Sequence, residues 1–190
     1  RSLYVCPSCA AAQVPGGPTR GVLRVELDER DLPRRWPEAP LSTPAGLAPF
    51  LPVRGPESFF SFAAGGTPLL PVPRLRAQLG MPHLFLKDDT RNPSGSTKDR
   101  ASALVVAKAI EYGYETVAAA STGNAATALA AAGAASGMKT VVFVPASAPP
   151  AKLVQMSSYG ARLVPVAGTY DQAFELSLEA CARFGWYNRN

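Results

Sequence analysis

Thr140-Val141-Val142-Phe143-Val144 is a near-continuous run of β-branched and aromatic residues. A strand exposed on one side alternates apolar with polar residues. A run without that alternation belongs to a strand covered on both faces, as in a parallel sheet with helices above and below. The neighbouring segments agree. On the amino side, Thr116–Ala120 predicts a strand and Asn124–Ser136 an alanine-rich helix closed by Gly137. On the carboxyl side, Ala151–Tyr159 predicts a helix stopped by Gly160, Arg162–Val166 a strand, and Tyr170–Phe184 a helix stopped by Gly185. Glycine at these ends supplies the left-handed residue that closes a helix.

Farther toward the amino end, His83–Lys87 predicts a short strand and Lys98–Tyr112 a helix ended by Gly113. Strands starting at Thr116, Thr140 and Arg162 lie 24 and 22 residues apart, the spacing of repeated βαβ units. The fold class is therefore α/β, a parallel sheet with flanking helices. Ligands in such sheets bind beyond the carboxyl ends of the strands, among the strand-to-helix loops.

Composition changes near residue 60. Residues 1–60 hold ten of the 19 prolines, including Pro33, Pro37, Pro40, Pro44, Pro49, Pro52 and Pro56. Such spacing forbids long helices and central strands, and predicts an extended, Pro-rich N-terminal arm (1–60) wrapping an α/β region (61–190). Within the arm, Val22–Leu27 alternates and predicts one short strand. Trp36, Phe59, Phe60 and Phe62 are expected to pin the arm in place.

The chain of 190 residues is 47% hydrophobic and 17% charged, a globular composition. No apolar run approaches the roughly 20 residues of a membrane-spanning helix, and no charged-then-apolar signal opens the chain. The expectation is a soluble, cytoplasmic protein with no membrane partner. The net charge of +5 is dispersed, with no basic stripe carrying interleaved aromatics, so nucleic acid is not expected as a partner. An anionic small-molecule substrate accounts for a mild basic excess. The chain starts at Arg1 and stops at Asn190 without start or stop signals, and reads as part of something longer.

Two loops carry chemistry. Asn92-Pro93-Ser94-Gly95-Ser96-Thr97-Lys98 places a lysine after a Gly/Ser-rich turn and at the start of a helix. The positive end of a helix disfavours the ammonium form, as burial also would. A lysine held partly neutral attacks carbonyls and forms a Schiff base. The second loop, Ser121-Thr122-Gly123-Asn124, follows the Thr116–Ala120 strand. Unpaired N–H groups at the start of the next helix suit a carboxylate, and the Asn124 amide can meet a ligand oxygen. Taken singly, Ser121 or Asn124 could be only a helix cap, and Lys98 only a surface charge.

Together with Gly66-Thr67-Pro68-Leu69 and Leu86-Lys87-Asp88-Asp89, these loops resemble fold-type II pyridoxal-phosphate enzymes, and within them most closely the threonine-synthase family. The resemblance runs from about residue 60 to 190, and more loosely through Cys6-Pro7-Ser8-Cys9 and Gly21-Val22-Leu23. The Lys98-Asp99-Arg100 ending favours threonine synthases or the cysteine-synthase type over dehydratases. The resemblance implies pyridoxal 5'-phosphate as cofactor. Lys98 would hold it as a Schiff base and act as acid and base, and Asn124 would bond the pyridine 3′-oxygen. Ser121, Thr122 and Gly123 would bind the α-carboxylate of an amino-acid substrate. The reaction implied is O-phosphohomoserine plus water to threonine plus phosphate, a lyase reaction of threonine biosynthesis, and the family is compatible with a homodimer. A cysteine-synthase-like or dehydratase enzyme of the same fold, or a noncatalytic truncated homologue, is the alternative. Thr97 stands where threonine synthases usually carry Phe, and Ala125 where some carry a hydroxyl. The family's cofactor-phosphate loop is expected downstream of Asn190.

Cys6 and Cys9 form one CxxC. A closed zinc site needs four ligands, and His83 and Cys181 are remote, so no metal is expected. A redox role would want a helix directly after Cys6, and none is predicted. Cys181 lies on an apolar helix pattern and is expected in the core; His83 is expected to cap or pair at a strand start. Lys87 and Arg91 are either solvated or within reach of a substrate phosphate.

Overall fold

A computed structural model describes residues 5–14, 17, 20–26, 30 and 43–190. The chain separates into two compact units, Arg1–Glu38 and Ala39–Asn190. In the first, a single-turn helix α1 (Pro7–Ala10) follows Cys6 directly, where none was predicted. The expected Val22–Leu27 strand reduces to one antiparallel bridge between Val5 and Val22, and Leu27 lies outside the described residues, as do Trp36, Pro33, Pro37 and Pro40.

The second unit is built on a four-stranded parallel sheet. Its strands are β3 (Thr116–Ala120), β4 (Lys139–Pro145), β5 (Arg162–Val166) and β6 (Tyr187–Asn188), in the order β5-β4-β3-β6. A separate antiparallel ribbon joins β1 (Leu69–Pro71) to β2 (Phe85–Lys87). The predicted strand at His83–Lys87 therefore exists only from Phe85 and does not enter the parallel sheet. Its edge is taken by Leu69–Pro71, and the Asp88 N–H closes the ribbon onto Pro68 O at 2.9 Å. His83 is exposed, two residues ahead of β2. The edge strand β6 was not predicted; it is only two residues long and has no pattern of its own.

The helices are α2 (Pro73–Leu79), α3 (Lys98–Glu111), α4 (Asn124–Ser136), α5 (Pro150–Ser158) and α6 (Tyr170–Phe184). Strand periodicity sorts them into layers. Val117 and Ala119 of β3 pack against Val106 and Ala109 of α3 and Leu129 and Ala132 of α4. Val142 and Val144 of β4 pack against Ala126 and Ala130 of α4 and Met156 of α5. The alternate residues Ala118, Ala120, Val141 and Phe143 meet Ala173, Ala180 and Cys181 of α6. The central strands are thus covered on both faces, which is what the unalternating run at Thr140–Val144 demanded.

Small residues set the spacing. Helix α4 buries Ala126, Ala128, Ala130, Ala131, Ala132 and Gly133, so its backbone can lie close to β3, β4 and α3. Helix α6 opens with a reciprocal cap in which Thr169 and Gln172 bond each other's backbone N–H, at 3.3 and 2.8 Å. Phe60 and Phe62 pack against the Val106–Leu129 cluster. Residues 43–60 belong to this second unit partly because Glu111 holds them: its carboxylate accepts from Arg54 N–H at 2.7 Å and from the Ser58 hydroxyl. Among the described residues, no helix is long and apolar enough to cross a membrane.

Candidate active site

The loop before Lys98 is locked from within. Asp99, fully buried, accepts from both the N–H and the hydroxyl of Ser94, each at 2.9 Å. Asn92, also buried, accepts from Gly65 N–H at 2.9 Å and donates to Asp89 O at 3.1 Å. Gly95 sits at φ +79°, a conformation an L side chain strains to reach. Ser96 accepts from Lys98 N–H at 3.3 Å. The hydroxyls of Ser94 and Ser96 are thus engaged in holding the turn.

Below the loop, three sequence motifs meet in one ion network. Arg100 grips both oxygens of Asp89, at 2.5 and 2.8 Å, and also donates to Thr67 Oγ1 at 3.1 Å. Thr67 donates to Asp89 at 2.7 Å, and Lys87 donates to Thr67 O. Hydrogen bonds from Arg100 first, then Thr67, hold the Asp89 carboxyl well below the usual carboxylate range. Lys87 is therefore engaged in the scaffold. Arg91 is exposed.

Lys98 is the first residue of α3 and is exposed. The expected burial does not act on it, because α3 buries the stripe that begins one residue later, at Asp99, Ser102, Ala103 and Val106. Among the described residues, no group bonds its amine.

The second loop leaves the carboxyl end of β3. Ser121 N–H donates to Phe143 O at 3.2 Å, and Ser121 Oγ accepts from Gly123 N–H at 3.3 Å. The capping position of α4 is Gly123, so no side chain covers the first N–H groups of the helix. The simple helix-cap reading of Ser121 or Asn124 does not hold. A methyl group built on Gly123 would meet nothing within 4 Å, so the approach to these amides is open.

Helix α5 joins the two loops. Lys152 Nζ donates to Asn124 Oδ1 at 2.8 Å and to Gln155 Oε1 at 3.4 Å. Gln155 Nε2 in turn donates to Ser94 O at 3.3 Å, and Tyr159 OH donates to Pro93 O at 3.3 Å. Lys152 and Gln155 were missed in the sequence. The signal was available: α5 follows β4, so its first turns reach the same carboxyl edge of the sheet. A hollow of about 520 Å³ lined by Thr116, Lys139, Thr140 and Arg162 lies at the opposite edge, where the strands begin, and holds none of these groups.

The residues fit a carbonyl cofactor carrying a ring oxygen: an accessible amine, an amide whose oxygen is already taken, and uncapped N–H groups under open space. A family model described as pyridoxal-phosphate dependent enzyme matches residues 60–190. The chain belongs to this family, whose cofactor is pyridoxal 5'-phosphate, and it has the fold-type II architecture. It is 41% identical over 111 residues to threonine synthase of Methanosarcina acetivorans, covering 58% of this chain and 27% of that protein. It is also 41% identical over 103 residues to threonine synthase of Methanocaldococcus jannaschii, covering 54% and 25%. Among solved structures, maize serine racemase superimposes with a TM-score of 0.60 at 25% identity, covering 65% of this chain and 38% of that one. The chain thus spans about a quarter of the length of the archaeal relatives.

Proposed function

We propose that this chain supplies the lysine-bearing part of a threonine synthase, which converts O-phosphohomoserine and water to threonine and phosphate. Similarity to the threonine synthases supports the reaction. The observation that carries it is the Lys152–Gln155 bridge, which ties the Asn124 turn to the loop in front of Lys98 at one edge of the sheet.

In this reading the Lys98 amine is the covalent attachment point of the cofactor and, once released, the group that carries a proton between Cα and Cβ of the substrate. Bound cofactor supplies an electron sink for carbanions at those carbons. Asn124 has Oδ1 committed to Lys152, so it offers Nδ2 as a donor to the ring oxygen. The uncapped N–H groups at the start of α4, reached across the open turn at Gly123 and flanked by the Ser121 and Thr122 hydroxyls, receive the substrate α-carboxylate. Locked Ser94 and Asp99 keep the attachment loop from drifting as substrate exchanges.

The test uses the full-length protein. Given O-phosphohomoserine, it should release phosphate and form threonine in equal amounts. Lys98→Ala should remove the visible absorbance of bound cofactor. Release of acetate from O-acetylserine in place of phosphate would move the reaction to β-replacement, and an unchanged spectrum in Lys98→Ala would refute the lysine assignment.

A further inference from the structure

Cys6 and Cys9 take no part in the site described above. A redox role for a CxxC pair wants a helix directly after the first cysteine, and the helical turn Pro7–Ala10 begins there. Cys6 is fixed on both sides. Its N–H donates to Gly21 O at 2.8 Å, its carbonyl accepts from Ala10 N–H at 2.9 Å, and Val5 bridges Val22 beside it.

Cys9 lies three residues along the turn, where Cβ atoms are roughly 5–6 Å apart. A disulfide needs Cβ atoms about 3.5–4.5 Å apart, so closing the bridge takes a backbone shift of roughly 1–2 Å within this single, isolated turn. Gly21 makes room for both: a methyl group there would stand 2.5 Å from Cys9 Cβ and 3.4 Å from Cys6 Cβ. Cys9 is exposed and Cys6 half-buried, so a small molecule can reach them. Among the described residues, no group of three or more His, Cys, Asp or Glu is placed to hold a metal ion.

We propose that Cys6 and Cys9 form a dithiol–disulfide exchange site that reacts with low-molecular-weight disulfides such as glutathione disulfide. The environments of the two thiols divide the roles. The Cys9 backbone N–H first, then the Cys9 thiol and the Ser8 N–H, bond the Cys6 sulfur and hold its pKa down. That same bond, and the charge of the Cys6 thiolate, push the Cys9 thiol up. Cys6 is the attacking thiolate and Cys9 the resolving thiol. Cys6 Sγ displaces one glutathione thiolate and forms a mixed disulfide. Cys9 then gives up its proton, its Sγ bonds Cys6 Sγ, and the second glutathione leaves as thiolate. Two electrons pass from the protein dithiol to glutathione disulfide, and both thiol protons end on the two glutathione molecules.

The experiment equilibrates the chain with glutathione disulfide at neutral pH and then alkylates remaining thiols for mass analysis. The chain should lose two of its three alkylatable thiols and two hydrogens, as a monomer. Cys9→Ser should retain one glutathione on Cys6, and Cys6→Ser should form its adduct about tenfold more slowly. Buried Cys181, its thiol pushed up to about 11 by burial, stays unmodified while the chain is folded and reports its integrity. Gly21→Ala should slow closure of the bridge in folded protein. Equal rates of adduct formation in the two serine variants, a bridge between chains, or protection of both thiols by added zinc would overturn the proposal.

Discussion

Lys152 shows how one side chain sets the direction of another. An asparagine amide can present either its oxygen or its nitrogen, and the two are opposite in hydrogen-bonding sense. The Lys152 ammonium, 2.8 Å from Asn124 Oδ1, settles the choice in favour of a donor facing outward. Lys152→Met should therefore loosen the cofactor about tenfold, the equivalent of one charged hydrogen bond of roughly 1.5 kcal/mol. Lys152→Arg should recover most of that loss. Cofactor affinity from a spectral titration, with thermal melting as a check on folding, reads the effect. Wild-type affinity in Lys152→Met would end this account of Asn124. The sequence named Asn124 from its place in a turn, but not the lysine that orients it, because 28 residues separate the two and no local pattern links them.

At the level of elements, the position of α4 depends on having almost no side chain on its sheet-facing side. A methyl group on Gly133 would lie 2.0 Å from Thr140 Oγ1 and 3.3 Å from Met138 O. Gly133→Ala gains helix propensity but must push α4 off β4, so it should destabilise by about 1–3 kcal/mol. Chemical denaturation would measure this, and a stabilised variant would show that the helix–strand contact can relax freely. The alanine run at Asn124–Ser136 was legible as a helix, since alanine favours one wherever it falls. The spacing it permits was not legible, because that depends on which strand the helix meets. The β1–β2 ribbon makes the same point: Phe85–Lys87 reads as a strand, yet its partner is antiparallel Leu69–Pro71 and not the main sheet.

For the whole molecule, two carboxylates connect distant segments, and both weaken in acid. Burial raises the pKa of Glu111, but bonds from Lys108, Ser58 and the Arg54 N–H outweigh it and leave the group at about 2, against an ordinary 4.5. Asp89 is likewise lowered from 3.8. A carboxyl group with a depressed folded-state pKa binds fewer protons in the native chain than in the unfolded one. Its stabilising share is complete above the unfolded value and is lost as pH falls toward the folded value. Thermal stability should thus decline as pH drops below about 4.5 toward 2. Glu111→Gln should be less stable at neutral pH by about 1–3 kcal/mol and should show a shallower acid decline. Melting curves between neutral pH and pH 2.5 test this, and an acid slope unchanged by Glu111→Gln would remove Glu111 from the explanation.

The amino-acid order by itself determined the α/β class, the segments of α3 to α6 and β3 to β5, and the two loops bearing Lys98 and Asn124. All of these rest on local periodicity, β-branched runs and glycine punctuation, which act over a few residues. The tertiary structure alone decided that Tyr187–Asn188 would pair with Val117–Ala118, that Lys98 would stand exposed, and that Lys152 and Gln155 would bridge the loops. It also decided that Cys6 and Cys9 would share the space above Gly21. The strand pairing and the loop bridge depend on surfaces buried against each other across tens of residues, so no short window of sequence contains both partners.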